Sequence, residues 1–482
     1  MDLKNLTSSS IRNVIVNEQM TASEVLDKFI IKIKQSAEKN NTFISTRLEE
    51  AKSEATKIDR KLAEGNSLGV LAGVPIAIKD NIVIRNERTT CASKMLSNYK
   101  SPYNATVIDK IIQADGLIVG KTNMDEFAMG STNRTSFYGP VRNPVYPGKV
   151  PGGRSGGSAA AVAAGEVMLA LGTDTGGSVR QPAAFCGVVG YKPSYGMISR
   201  YGVVSMANTF DTVGILSRNV LDATLLYSVL AGPDKADATT VLDNPCELPE
   251  WHSKRETMEL KGLKFCVPEF VMKDTKDAII DLGFEKIIEM LKAQGATVDV
   301  VKLDALEYGI ETYHILANGE ISANMSRFDG LRYGYRTEDY LTIDEMYIKS
   351  RSEGFGEEVK RRIMVGAYIL SLDMVEDYFV KAQKVRKLII NSFVNAFNEY
   401  DAVIMPTSPE LPFSIESERK PVDIYLSDRY TVPASLAGIP AISIPVKNND
   451  DVFGLQIMMS YGEDNRLLHL SYSLEEVFNS GL

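Results

Sequence analysis

A serine that follows two glycines is the first place to look for chemistry in this chain, and Asp174-Thr-Gly-Gly-Ser178 supplies one. Glycines let the backbone enter a strained turn in which successive amides converge, and converging amides stabilise a developing oxyanion. Ser178 would be a nucleophile presented beside its own oxyanion hole, as acyl transfer requires. An isolated GGS is more often a glycine turn with a capping serine, so the motif needs a base before it counts.

The usual base is histidine, and the chain has three. His252 lies in a polar stretch. His314 and His469 lie in helix-like segments without a glycine-rich turn or carboxylates beside them, so a Ser-His-Asp arrangement is disfavoured and all three read as structural or surface residues. A buried lysine surrounded by donors loses its proton near neutrality, because desolvation disfavours the ammonium form. Lys79, at the end of the apolar run Gly73-Val-Pro-Ile-Ala-Ile, is the natural candidate. Standing alone it would read first as a strand-end surface lysine paired with Asp80.

These pieces occur together with longer blocks. GVPIAIKDN around Lys79, GGRSGGSAAAVAAG from Gly152 and GTDTGGSVRQPAAFCGVVGYKPSYG from Gly172 resemble the signature of the amidase signature family, and the likeness spans essentially the whole chain. TTCASKML at Thr89, GKTNMDEFAMGS at Gly120, SRFDGLRYGY at Ser326 and SRSEGFGEEVKRRI at Ser350 resemble one branch of it, the glutaminase subunits of tRNA-dependent amidotransferases.

The resemblance implies an α/β fold, an α/β/α sandwich around a large mixed twisted sheet with a helical insertion. It also implies a Ser-cisSer-Lys triad, with Ser178 as nucleophile and Lys79 as base and then acid. The amides of Thr175, Gly176, Gly177 and Ser178 would hold the oxyanion. Free glutamine would be bound by Tyr313, by Arg362 clamping its α-carboxylate bidentately, and by Asp428 pairing with its α-ammonium. Ammonia released from glutamine would pass to partner subunits B and C for amidation of Glu-tRNA(Gln) or Asp-tRNA(Asn). ATP, magnesium and the misacylated tRNA belong to the partner, with no cofactor or metal expected in this chain.

The chain departs from the family pattern at one position of that triad. Where the family has GGSSGGS, this sequence reads Gly152-Gly-Arg-Ser-Gly-Gly-Ser158, so Arg154 replaces the bridging serine and only Ser155 of the pair survives. A guanidinium has no acceptor lone pair and stays charged across the working pH range, so it relays no proton. Its charge favours a neutral Lys79 while its bulk obstructs the path to Ser178. Impaired glutaminase activity is the expectation. The alternatives are a catalytically silent glutamine-binding or scaffolding paralogue and a stand-alone small-amide amidase. Rescue by Ser155 ranks last, since its side chain should leave the turn in a different direction.

Composition is compatible with this. Lys and Arg total 53 against 62 Asp and Glu, a net charge of −9, which argues against a chain-wide footprint for nucleic acid or an anionic membrane. Cys91, Cys186, Cys246 and Cys266 are scattered and signal neither a zinc site nor a disulfide framework. The N-terminus lacks a leader pattern and no stretch is long enough to span a membrane, so a cytoplasmic protein is expected.

The elements that must position these residues follow from pattern. Thr21-Ala-Ser-Glu24 is a capping box opening a helix that carries Val25, Leu26, Phe29, Ile30 and Ile33. Gly73–Asp80 and Gly116–Lys121 read as short buried strands ending in charged residues. Two glycine turns bracket a small-residue helical run, Ala159 to Ala170. Strand, helix, strand are expected over Leu263 to Val267, Ala278 to Ala293 and Thr297 to Leu303, beginning an inserted or second layer. Charged helices follow from Asp344 to Tyr400, and the apolar strands Ala402 to Met405 and Ala441 to Val446 rejoin the first sheet. The organisation expected is a single domain over 1–482, with the signature core at 60–232 and a strand-helix and helical insertion at about 262–400.

Overall fold

The computed structural model describes residues 6–274, 277–448 and 451–480. The helix after Thr21 runs Ala22–Asn40. Its capping box closes in both directions, with Glu24 N donating to Thr21 Oγ1 at 3.1 Å and Thr21 N to Glu24 Oε2 at 2.8 Å. Val25, Leu26, Phe29, Ile30 and Ile33 are all buried, as the helical spacing requires.

Among the described residues the fold is built on one mixed sheet of 11 strands. In chain order they are β1 Phe43–Thr46, β2 Pro75–Lys79, β3 Leu117–Thr122, β4 Leu169–Asp174, β5 Val189–Lys192 and β6 Thr212–Ser217. There follow β7 Lys264–Pro268, β8 Thr297–Val301, β9 Ala402–Pro406, β10 Ala441–Asn448 and β11 Asp451–Met458. Their order across the sheet is β1-β3-β2-β4-β6-β5-β10-β11-β9-β7-β8. Strands β3, β2 and β4 run parallel, the pairs from β4 through β9 are antiparallel, and β9, β7 and β8 are again parallel. This is the large mixed sheet expected of the fold class. Strands β2, β3 and β4 are buried along their whole length, which is why they read as near-continuous apolar runs.

Two expectations are corrected. The run Ala159 to Ala170 is not one helix: the helix is Gly156–Ala163, and Leu169 and Ala170 already belong to β4. Gly165, at φ +73°, turns the chain between them, and the short apolar runs on either side of it have no period by which helix and strand can be told apart. Residues from about 262 onward do not start a separate strand layer either. The helix Ala278–Ala293 carries the chain from β7 to β8, and β7 pairs with β9, so both strands extend the one sheet at its edge. The eleventh strand escapes the sequence pattern, because Gly454 and Gln456 interrupt its apolar run.

The parallel pairing of β2 with β4 matters most for function. Ile78 lies opposite Leu171, so the carboxyl ends of both strands reach the same edge, bringing Lys79 beside Thr173 and the turn that follows. A second set of elements brings the ligand side: the packed helices Gly309–Met325 and Glu357–Ile369, and the short turn Leu426–Asp428.

Glu126 ties the two sets together. Its carboxylate accepts Ser93 Oγ at 2.5 Å and the Gly356 amide at 2.9 and 3.1 Å, capping a helix whose own N-cap glycine has no side chain to do so. Burial pushes this carboxyl up to about 7, against the pull of Ser93 and Gly356. The folded protein therefore binds a proton here that the unfolded chain has released, and this contribution to stability falls as pH rises from about 4.5 to about 7. Glu126→Ala is expected to cost on the order of 1–3 kcal/mol in denaturant unfolding. Glu126→Gln should flatten that part of the stability–pH curve relative to the parent.

Candidate active site

Lys79 is fully buried. Its Nζ donates to Thr173 Oγ1 at 2.9 Å and Thr173 O at 3.3 Å, and Asn81 Nδ2 donates to the same Oγ1 at 3.0 Å. Asp80, the partner a surface lysine would take, is engaged elsewhere, pairing with Lys121 at 2.9 Å and accepting from Thr90. Desolvation first, and then the neighbouring Arg154 charge, lower the Lys79 pKa to about 7. Lys79 is therefore available as a neutral amine near neutrality.

The turn after β4 is held by Asp174. Its Oδ1 accepts the Gly177 amide at 2.8 Å and its Oδ2 the Val179 amide at 3.2 Å, while Arg180 forms a two-point pair with both oxygens at 2.9 and 3.0 Å. Burial would raise this carboxyl, but Arg180 and the donors around it outweigh burial and hold it well below the usual carboxylate range. Arg180 in turn donates to Thr431 O, Gln456 Oε1 and Ser435 Oγ at 2.6–2.8 Å. Gly177 sits at φ +125°, and a Cβ there would collide with Thr431. One of the four amides assigned to the oxyanion is thereby corrected: the Gly177 N–H is committed to Asp174, which leaves Thr175, Gly176 and Ser178 as candidates.

Arg154 lies at the centre of this arrangement with no exposure. The peptide bond preceding it, Gly153–Arg154, is cis. Its Nη1 donates to Ser178 Oγ at 3.1 Å, and its Nη2 pairs with Asp428 Oδ2 at 3.2 Å. Burial opposes its charge, but Tyr313, Asp428, Asp125 and Asp174 outweigh that and hold it protonated. The guanidinium thus occupies the nucleophile's hydroxyl instead of relaying a proton to it. Ser155 Oγ donates to Thr173 O at 3.3 Å, the carbonyl that Lys79 also reaches, so this hydroxyl lies on the lysine's side while its amide holds Ser178 O at 3.1 Å.

The three residues assigned to glutamine converge on the same place. Tyr313 packs against the turn, where a Cβ on Gly176 would meet its ring, and its hydroxyl is buried without a partner. Arg362 Nε pairs with Glu358 at 2.8 Å, leaving Nη1 and Nη2 buried and unpartnered. Asp428 Oδ2 also accepts from Ser131 Oγ at 2.7 Å, and its Oδ1 has no partner. A cavity of about 320 Å³ lined by Ser131, Glu358, Arg361 and Tyr425 adjoins them.

Sequence reasoning misses Thr173, Ser131 and Glu358; all three fall within blocks of family likeness, but single hydroxyls and helix-surface acids carry no pattern. Of the histidines, His252 and His469 bond main-chain carbonyls of Leu221 and Glu256 away from the site. His314 is in its wall, 4.3 Å from the Tyr425 ring, and burial, Arg362 and Arg154 push its pKa down, so it stays neutral. The four cysteines are free, and among the described residues no group of three His, Cys, Asp or Glu side chains is placed to hold a metal.

A buried lysine and a glycine-turn serine brought together at the edge of this sheet make up an amidase-type site. A match to the Amidase family covers residues 24–468, and the chain belongs to that family. It is similar to the A subunit of glutamyl-tRNA(Gln) amidotransferase from Clostridium botulinum (strain Okra / Type B1), 46% identical over 99% of this chain and 98% of that one. The protein of the same name from Fusobacterium nucleatum is 43% identical over 98% and 97%. The crystal structure of the corresponding glutamyl-tRNA(Gln) amidotransferase chain from Thermotoga maritima superposes with a TM-score of 0.81 at 38% identity, covering 99% of this chain and 95% of that one.

Asp174→Ala is expected to cost on the order of 3–5 kcal/mol, because it strands Arg180 as a buried charge and releases the turn amides. Urea denaturation measures it; a loss under about 1 kcal/mol would show that the pair does not hold the turn.

Proposed function

We propose that this chain is the glutamine-hydrolysing subunit of a tRNA-dependent amidotransferase, with its hydrolytic step suppressed by Arg154. The observation that carries this is the set of buried, unpartnered polar atoms on Tyr313, Arg362 and Asp428 gathered around the Ser178 turn. Arg362 suits an α-carboxylate and Asp428 an α-ammonium, the two groups that distinguish free glutamine from a peptide amide. The names of its relatives support glutamate on tRNA(Gln) as the acceptor.

In the reaction this site is shaped for, Ser178 Oγ attacks the side-chain carboxamide carbon. The proton leaves towards Lys79, which is neutral in a useful fraction near pH 7. The Thr175, Gly176 and Ser178 amides receive the oxyanion, ammonia departs with a proton from Lys79, and water releases glutamate from the acyl-serine. Ammonia then passes to partner subunits B and C, where ATP and magnesium activate the tRNA-borne glutamate. No helix among the described residues is long and apolar enough to cross a membrane, and a cytoplasmic complex fits this role.

Arg154 removes the relay and pins the nucleophile. Ammonia release from glutamine by the chain assembled with its partners is expected to be near background, and Arg154→Ser to raise it on the order of 10² to 10⁴-fold. No gain on reversion would show that Arg154 is not the block. Because Arg154 helps depress Lys79, the serine variant should have a higher Lys79 pKa. Its rate should therefore rise with pH through a midpoint above about 7, and Lys79→Ala in that background should abolish the rise.

A further inference from the structure

The charges of the ligand pocket do not balance for an amino acid. Glutamine brings one carboxylate and one ammonium. The carboxylate has a receptor, since Arg362 keeps Nη1 and Nη2 buried and free of partners while only its Nε is paired, with Glu358. The ammonium has only a shared one. Asp428, the carboxylate suited to it, keeps Oδ1 without a partner, but its charge is already neutralised through Oδ2 by Arg154 at 3.2 Å, and Ser131 donates to the same oxygen at 2.7 Å. An incoming ammonium would share Asp428 with a fixed guanidinium. Repulsion between like charges about 4 Å apart in partly buried surroundings lowers affinity on the order of a hundredfold or more.

The adjoining cavity points the same way. Its lining includes Arg361 and Arg134, and its three acids are committed, Glu358 to Arg361 and Arg362, Glu357 to Lys360 and Glu126 to the Gly356 amide. Arg154 Nε is also buried without a hydrogen-bond partner, so a second unsatisfied donor awaits an acceptor. A ligand that completes this site carries an anion for Arg362 and no cation at its α-carbon.

We infer that the pocket recognises short-chain carboxylates lacking an α-ammonium, with the five-carbon ω-amide glutaramate as the member nearest in shape to glutamine, because Arg154 serves as a built-in cation on Asp428. The inference rests on the reading of this pocket as a glutamine-type amidase site and specifies what that site accepts when residue 154 is arginine.

Glutamine and glutaramate differ in that ammonium alone, so their comparison isolates it. Equilibrium binding of each to the full-length chain, by calorimetry or ligand-observed NMR, is expected to favour glutaramate at least about tenfold. Arg154→Ser should reverse the order, and Arg154→Gln, which keeps bulk but not charge, should remove most of the preference. Arg362→Ala should weaken glutaramate. Equal affinities in the parent chain, tighter glutamine, or no binding of either would overturn the inference. If Arg154→Ser nonetheless gains glutamine hydrolysis, the glutaminase reading survives that failure; if it gains none and Arg362→Ala changes no affinity, both fall.

Discussion

The buried pair of Asp174 and Arg180 is the interaction on which the rest of the site depends. Asp174 ends β4 and gathers the amides of the turn that carries Ser178. Arg180 carries that order across to Thr431, Ser435 and Gln456, in the last part of the chain. A buried ion pair is stabilising only when its remaining donors and acceptors are satisfied, and here nearly every one is. The result is a rigid turn whose position is set from both halves of the sheet, so the nucleophile does not rely on a mobile loop for its aim.

Next to that rigid turn, the environment of Lys79 is tuned by subtraction. Asp80 is diverted to Lys121 and Asp174 to Arg180, so neither pairs with the ammonium, and the pull of Asp125, Asp174 and Asp211 offsets burial only in part. Burial then does the rest and brings the amine into the neutral range. Arg154 acts in two opposed ways within this distribution of charge. It deepens the depression of Lys79, yet it binds the hydroxyl that Lys79 would have to activate.

Much of this is legible in the sequence because the decisive residues fall in contiguous blocks. Lys79 ends an apolar strand, and Ser178 follows two glycines, patterns that carry their own physical reason. The helix Ala22–Asn40 and the helix Ala278–Ala293 announce themselves by spacing and caps. Tyr313, Arg362 and Asp428 can be named only through family likeness, since each alone looks like an ordinary helix or turn residue. Illegible altogether is the contact between Arg154 and Asp428, which joins positions far apart in the chain. The misplaced end of the helix Gly156–Ala163 has a simpler cause: alanine-rich sequence fits helix and buried strand alike.

The provenance of the side chains has a consequence for how such a protein can diversify. Lys79, Arg154 and Ser178 come from the signature segment around β2 and β4, whereas Tyr313, Arg362 and Asp428 come from later elements that reach back over it. Bond-breaking apparatus and ligand selection are thus inherited from different stretches of the chain and meet only in space. Substitutions in the later stretch can redirect which amide is chosen while the sheet edge stays untouched. Position 154 is the exception to the partition, because one side chain there speaks to both the nucleophile and the ligand's partner, so a single codon alters what enters and what reacts.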